Sequence, residues 1–403
     1  MATIATPVEI EGDVLIPLSA MDAVMNTYRV VVLYIYPPPS SEASAFNLDK
    51  LQRSFVTLVN EDYPVLVGDL HVHGKTISVK QTPVSRHQGA KGIRFETISI
   101  SNHTTNDAID SLSWEFMPKP RAQKEIIAVK GSILADGGWP LDSKDSDDTT
   151  KNGPARVPLS SSSMAKLKKL AEGVEAEKTR HIRRKRERFL AKLLSILSSK
   201  DKKIAQAPSP PYVSTLDAIT ALFTVLISQA RGHGRSVRVS TAVNGRNRLQ
   251  PPLPENYSGN AVFHAISTYT NEMLQAANNA VLLPRVARGV RASILERDNA
   301  FMRDTIAFIS SQSDPVTIND NVHFFFGPDI AFTCWAKMGL YDAEFDGVKP
   351  RYAKIPRVQC MDGFVLITEA LNGGDGLDVL VCLETTTMGK LKKLYANFEC
   401  LLD

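Results

Sequence analysis

Val243-Asn244-Gly245-Arg246-Asn247-Arg248-Leu249-Gln250-Pro251-Pro252-Leu253-Pro254-Glu255-Asn256-Tyr257-Ser258-Gly259-Asn260 does not read as an ordinary surface loop. Two arginines open it, three prolines fix the backbone of its middle, and a Tyr-x-Gly-Asn sequence closes it. Upstream, residues 236–243 are small and β-branched and predict a strand. Downstream, residues 261–280 are read as a helix, and 286–310 as another. Before the strand, Ser214 or Thr215 caps a strongly apolar helix that runs to Arg231.

The pattern extends in both directions. Residues 29–36 are β-branched and aromatic and are stopped by Pro37-Pro38-Pro39, which predicts a buried strand. Leu48, Leu51, Phe55 and Leu58 recur at helical spacing after Asn47, a cap, and Pro64 ends that helix. Strands are predicted over 70–72, 76–79, 93–100 and 126–134, the last closed by Asp136-Gly137-Gly138. Residues 142–163 are polar and Ser-rich and predict a flexible loop. A helix follows from about Met164 to Leu197. Within it and just beyond, residues 178–203 hold 11 Lys/Arg against two acids. Further strands are predicted near 330–335, 364–371 and 377–383, and a last helix starts at Met388. Strands interleaved with helices, without a Gly-rich phosphate loop, predict mixed α/β layers.

The 403 residues suffice for two domains. An apolar fraction of 43% and a charged fraction of 22% are those of a soluble globular protein. A net charge of +4 gives no global attraction to nucleic acid. The first residues lack a basic start and a long apolar run, so no secretory signal is expected, and no segment is apolar for the ~18 residues that a membrane helix needs. The four cysteines (Cys334, Cys360, Cys382 and Cys400) form no C-x-x-C pair, which argues against a zinc site. Cys382 lies in an apolar run and is expected to be a buried thiol. A cytoplasmic monomer is the expectation.

The quoted stretch resembles the signature that follows the crossover in the BAHD acyltransferases, plant and fungal enzymes that move acyl groups from coenzyme A to small alcohols or amines. Other segments are similar to that family in the same order. Pro17-Leu18-Ser19-Ala20-Met21-Asp22 resembles its L-S-x-x-D opening. Tyr63-Pro64-Val65-Leu66-Val67-Gly68-Asp69-Leu70 resembles its P-x-x-A-G-R-L strand. Val213-Ser214-Thr215-Leu216-Asp217-Ala218 resembles V-S-x-x-D-A, and Thr333-Cys334-Trp335 resembles T/S-S-W. Glu344-Phe345-Asp346-Gly347-Val348-Lys349-Pro350 matches D-F-G-W-G-K-P imperfectly. The resemblance implies a two-domain coenzyme A-dependent acyltransferase fold with mixed sheets and a central channel. Residues 1–163 would form the first domain, 164–212 a basic crossover and 213–403 the second domain. It also implies an acyl-CoA co-substrate, a small-molecule acceptor and no metal.

In that family a histidine in H-x-x-x-D-G removes the acceptor proton, donors hold the oxyanion, and the motif's Asp pairs with an arginine. Only His103 here has an Asp four residues on, Asp107, and Ala108 stands where Gly is required. The pair is a pattern match that also suits a helix cap. Near Asp136 two alignments stay open. Either Ser132 stands in place of the histidine, or Leu134-Ala135-Asp136-Gly137-Gly138 is the turn before a catalytic strand that the chain lacks. Ala128-Val129-Lys130-Gly131 fits the preceding strand better and favours the second. In both, the base is missing, and a serine cannot replace it without a base of its own. By the resemblance, Arg246 is the structural arginine, and without its acid it must be solvated or satisfied locally. Thr333 and Trp335 would face the transfer centre, although a buried strand end with a core tryptophan explains them as well.

The basic stretch around Arg180 to Arg188 admits three roles: a solvated crossover, a contact to coenzyme A phosphates, or a macromolecular partner. No stacking aromatics interleave with its charges, which argues against nucleic acid. Asp217, in the first turn of its helix, is expected to favour the helix dipole rather than act chemically. The chain is therefore expected to be an acyl-CoA-dependent O- or N-acyltransferase relative that is impaired. The alternatives are a non-catalytic acyl-CoA or metabolite-binding paralogue, and an interaction protein using the basic crossover.

Overall fold

The computed structural model describes residues 12–25, 30–39, 47–73, 76–112, 114–119, 124–136, 155–172, 212–276, 279–312, 314, 318, 327–355 and 361–399. In chain order the elements are β1 (Val14–Pro17), α1 (Ala20–Val24), β2 (Leu33–Ile35), α2 (Leu48–Asp62), β3 (Asp69–His73), β4 (Thr76–Gln81), α3 (Pro83–Gln88), β5 (Phe95–Ile100), α4 (Thr105–Ser111), β6 (Val129–Leu134), β7 (Ala155–Leu159), α5 (Ser161–Glu172), α6 (Thr215–Arg231), β8 (Val237–Asn244), β9 (Val262–Tyr269), α7 (Asn271–Leu274), α8 (Asn279–Leu295), α9 (Asn299–Ser311), β10 (Ile330–Cys334), β11 (Tyr352–Lys354), β12 (Phe364–Glu369), β13 (Leu377–Cys382) and α10 (Thr385–Glu399). Short 3-10 turns punctuate them.

A six-stranded sheet in the order β7-β13-β12-β10-β8-β9 organises the second part of the chain. Its middle strands β8, β10 and β12 are parallel, and β9, β13 and β7 run antiparallel to their neighbours. The middle strands are apolar on consecutive residues, as in Val365-Leu366-Ile367, because both faces are covered. One face carries α5, α6, α8 and α10, which share the largest core. α6 is buried on nearly every side, since its sequence offers apolar or small residues all round. The other face takes Ile355, which follows β11, onto Leu366 and Leu380.

The first part is assembled from smaller pieces: a three-stranded sheet β1-β4-β3, a parallel pair β5-β6, and a pair β2-β11 that joins the two parts. Leu33, Tyr34 and Ile35 lie opposite Lys354, Ala353 and Tyr352. A second join links α1 to the end of the Arg-Pro stretch. Asn260 N donates to Asp22 Oδ1 at 2.7 Å, and Asn260 Nδ2 donates to Met21 O at 2.9 Å. Asp22 Oδ2 meanwhile completes a capping box with Ser19.

A buried ion pair fastens β11 to the sheet beneath it. Lys354 Nζ binds Asp378, and each side chain is 1% exposed. Arg156 Nε reaches the same carboxylate at 3.0 Å. Burial pushes the Lys354 pKa down against the pull of Asp378.

Three expectations are corrected. Residues 261–280 do not form one helix: Phe263, Ala265, Ser267 and Tyr269 point inward alternately, so 262–269 is strand β9, 271–274 is the short helix α7, and α8 starts at Asn279. The helix expected over 286–310 is two, because the chain breaks after Leu295 and Asp298 caps α9 through Phe301 N at 2.9 Å. The loop expected over 142–163 ends early. Residues 155–159 pair with β13, and α5 starts at Ser161. Thus β7 and the start of α5, which lie before the boundary drawn at residue 163, pack on the large sheet. Residues 137–154 and the basic stretch 178–203 lie outside the described residues.

Candidate active site

Parallel strands end their carboxyl termini at one edge of a sheet, and crevices there are the usual ligand sites of open α/β folds. Here a cavity of about 260 Å³ opens where β8 and β10 end, beside the start of α6. Thr241, Asn244, Thr333 and Cys334 line it from the strands, and Ser214 and Asp217 from the helix start. The helix begins there because Ser214 accepts from Asp217 N at 3.2 Å and Asp217 accepts from Ser214 N at 2.7 Å.

The ionised groups at this cavity are largely committed. Asp217, 1% exposed, takes Arg291 Nε at 2.7 Å and Nη2 at 2.6 Å on the oxygen that also caps the helix. Arg291 in turn lies over the Tyr212 ring, 4.8 Å from its centroid. Arg248 donates to Ile294 O at 2.8 Å and Arg297 O at 3.2 Å, and no carboxylate among the described residues pairs with it. Its charge therefore leaves the cavity wall positive and suited to a negative group. Burial raises the Cys334 thiol pKa, which disfavours the thiolate at neutral pH. What remains is neutral: the hydroxyls of Ser214, Thr220, Thr241 and Thr333 and the amide of Asn244. Such groups can orient and polarise a carbonyl; they cannot remove a proton from an alcohol near neutral pH.

The residues singled out from the sequence are not gathered at one place. Thr333 lines the cavity, whereas Trp335 packs with Ile355, Leu366 and Leu380. Arg246 is half-buried and held by its own loop. Its Nη2 donates to Gly259 O at 2.9 Å, with Tyr257 O at 3.4 Å, and its guanidinium lies 5.9 Å from the Tyr257 ring centroid. His103 pairs through Nε2 with Glu115 and meets Phe116 edge-on. Asp107 caps α4, accepting from Thr104 N at 2.8 Å and Thr104 Oγ1 at 2.6 Å, and these bonds lower its pKa. Asp136 accepts from Thr105 N at 2.9 Å. None of the six described histidines lines the Thr333 cavity.

Sequence reasoning missed three pairs: Asp217 with Arg291, Asp22 with Asn260, and Lys354 with Asp378. For the first, the signal was an acid at the third position of an otherwise apolar helix. Asp22 and Asn260 lie 238 residues apart and Lys354 and Asp378 lie 24 apart, and local pattern carries no trace of either pair. Among the described residues no group of three or more His, Cys, Asp or Glu could hold a metal ion, and no helix is long and apolar enough to cross a membrane.

Comparison with known proteins adds the missing context. Residues 139–397 match the model of the Transferase family, which is more than half of the chain. The chain belongs to this family, the BAHD acyltransferases. A hydroxycinnamoyl-CoA:5-hydroxyanthranilate N-hydroxycinnamoyltransferase of Avena sativa is 26% identical over 198 residues, 48% of this chain and 43% of that protein. Hydroxycinnamoyltransferase 1 of Oryza sativa subsp. japonica is 26% identical over 195 residues, 47% and 43% of the two chains. The matched stretch spans less than half the length of these curated relatives. TRI101 of F. graminearum, solved with ethyl coenzyme A, superposes with a TM-score of 0.68 at 14% identity over 94% of this chain and 97% of that one. Vinorine synthase gives 0.60 at 15% identity, over 96% and 93%. These likenesses show the two-domain mixed α/β fold of BAHD acyltransferases for this chain.

Proposed function

We propose that this BAHD relative binds an acyl-CoA and a small hydroxyl- or amine-bearing acceptor, and that the 403-residue chain transfers the acyl group poorly or not at all. The observation that carries the proposal is the Thr333 cavity. It offers hydroxyl donors and one unpaired cation, while its single acid is engaged by Arg291 and the helix cap. A general base contributes roughly 10²–10⁴-fold to such a step. The binding half draws on the coenzyme A complex of TRI101 and on the CoA-dependent enzymes among the curated relatives. The protein would act as a monomer in the cytoplasm.

The test joins two readouts on the purified chain. Calorimetry with a series of acyl-CoAs measures binding, and release of free coenzyme A thiol in the presence of alcohols and amines measures transfer. Binding with thiol release at background is the expected result. Turnover at ~1 s⁻¹ or faster, an ordinary enzyme rate, refutes the impairment. Failure to bind any acyl-CoA refutes the ligand.

A further inference from the structure

β3 and β4 run antiparallel, in a register that goes from Asp69 opposite Lys80 to His73 opposite Thr76. Side chains alternate along a strand, so His71 and His73 project from one face and Val72 from the other. The five pairs with β4 fix the backbone beneath the two histidines, and Leu70 N donates to Lys124 O at 2.8 Å on the far side of β3. Residues two apart on a strand are spaced roughly 6.4–6.8 Å along it. The imidazoles stand parallel at that spacing, with 7° between their planes and 6.4 Å between their centroids. His73 is exposed and His71 half-buried. Among the described residues neither ring enters a hydrogen bond or an ion pair. Elsewhere His103 is taken by Glu115, and His264 Nδ1 meets Ser240 Oγ at 3.0 Å. Two neighbouring imidazoles without protein partners give the fold little. Protonated, they set like charges side by side; neutral, they leave their nitrogen lone pairs unused. A cation with affinity for imidazole nitrogen supplies both with a partner.

We propose that His71 and His73 are the two protein ligands of a surface site for a late first-row divalent cation, with copper(II) the tightest binder. Imidazole suits copper, nickel and zinc, and affinity at nitrogen sites rises along the row to copper(II). A metal–imidazole bond is about 2.0–2.1 Å long, so the two bonded nitrogens lie within about 4.2 Å of each other. Rotation about the side-chain bonds brings the rings together, since both already stand on one face of one strand. Water fills the remaining positions, in keeping with the absence among the described residues of any metal-holding group of three or more His, Cys, Asp or Glu. The charge around the pair favours a cation. Asp69 is the next residue on that face, exposed, and its carboxylate has no partner among the described residues. Lys80, opposite Asp69, is neutralised by Asp13 at 2.7 Å. None of these residues lines the Thr333 cavity, and the proposal does not rest on the acyl-CoA reading.

Copper(II) added to the purified 403-residue chain, at neutral pH in a non-chelating buffer, tests the site. Calorimetry is expected to find binding, and with isotope-labelled histidine the paramagnetic broadening of ring signals should reach His71 and His73 before His87 and His103. His71→Gln and His73→Gln each remove one of two ligands. Each is expected to weaken binding by ~100-fold or more, because loss of an outer-shell partner alone costs ~10–100-fold. His87→Gln should leave binding unchanged. Circular dichroism checks that the variants fold, and should one not fold, the broadening order in the wild-type chain decides. Binding undiminished in either folded variant, or broadening that begins at another histidine, overturns the proposal.

Discussion

The two parts of this molecule solve burial differently. In the second, one sheet of six strands carries four helices on one face and a single large core. In the first, the described residues form three small sheets that share cores of a few residues each, and β2 and β6 line an apolar cleft. The difference lies in how many strands one sheet joins. A contiguous sheet lets helices pack over several strands at once, and an interrupted one leaves each helix to cover a fragment.

Matched truncations break or sharpen that contrast. Phe223→Ala, in the middle of α6 at 0% exposure, is expected to cost about 3–5 kcal/mol in urea unfolding. Phe116→Ala, on the wall of the open cleft, should fall below that range, because its neighbours are already free on one side. Equal costs would mean that the first part is as tightly packed as the second. Next comes the ion pair that fastens β11 to the large sheet. Lys354→Met leaves Asp378 buried with only Arg156 beside it, and a loss of about 3 kcal/mol is expected. The double variant Lys354→Met with Asp378→Leu should recover most of that loss; a double variant as weak as the single one contradicts the account.

Caps give smaller effects. Ser214→Ala removes the acceptor for Asp217 N and should cost about 1 kcal/mol, together with a measurable loss of acyl-CoA affinity if the cavity is the binding site. Thr104→Ala on exposed α4 should cost about 0.5–1 kcal/mol. That last contribution has a pH sign. The Asp107 pKa is lowered in the fold, so its stabilisation is complete above about pH 4 and disappears as pH falls through the lowered value. Thermal midpoints of wild type and Thr104→Ala should therefore converge in acid, and a constant gap would assign the effect elsewhere.

The sequence disclosed the architecture better than the chemistry. α2 with its Asn47 cap, α6 with Ser214, and the strands at 330, 364 and 377 follow from periodicity and cap residues, and the structure has them there. β9 was misread because Ala, Ser and His at 264–267 carry little strand signal; the alternation of burial that defines it depends on β8 beside it. At the site, Thr333 could be placed from its strand and motif. The Arg291 contact that neutralises Asp217 could not, since it crosses 74 residues and needs the packing of α8 on α6. His103 and Asp107 show the converse. Their spacing matches a catalytic pattern, yet Asp107 sits at the third position of a helix whose cap is Thr104.

The β2–β11 pairing also sets a clock. Ile35 waits for Tyr352, which leaves the ribosome some 300 residues later. At translation speeds of about 5–20 residues per second, that interval is roughly 15–60 s. Throughout it β2 lacks the one partner strand that it has among the described residues, so the nascent first part must be shielded by chaperones or stay soluble on its own until β11 has been made.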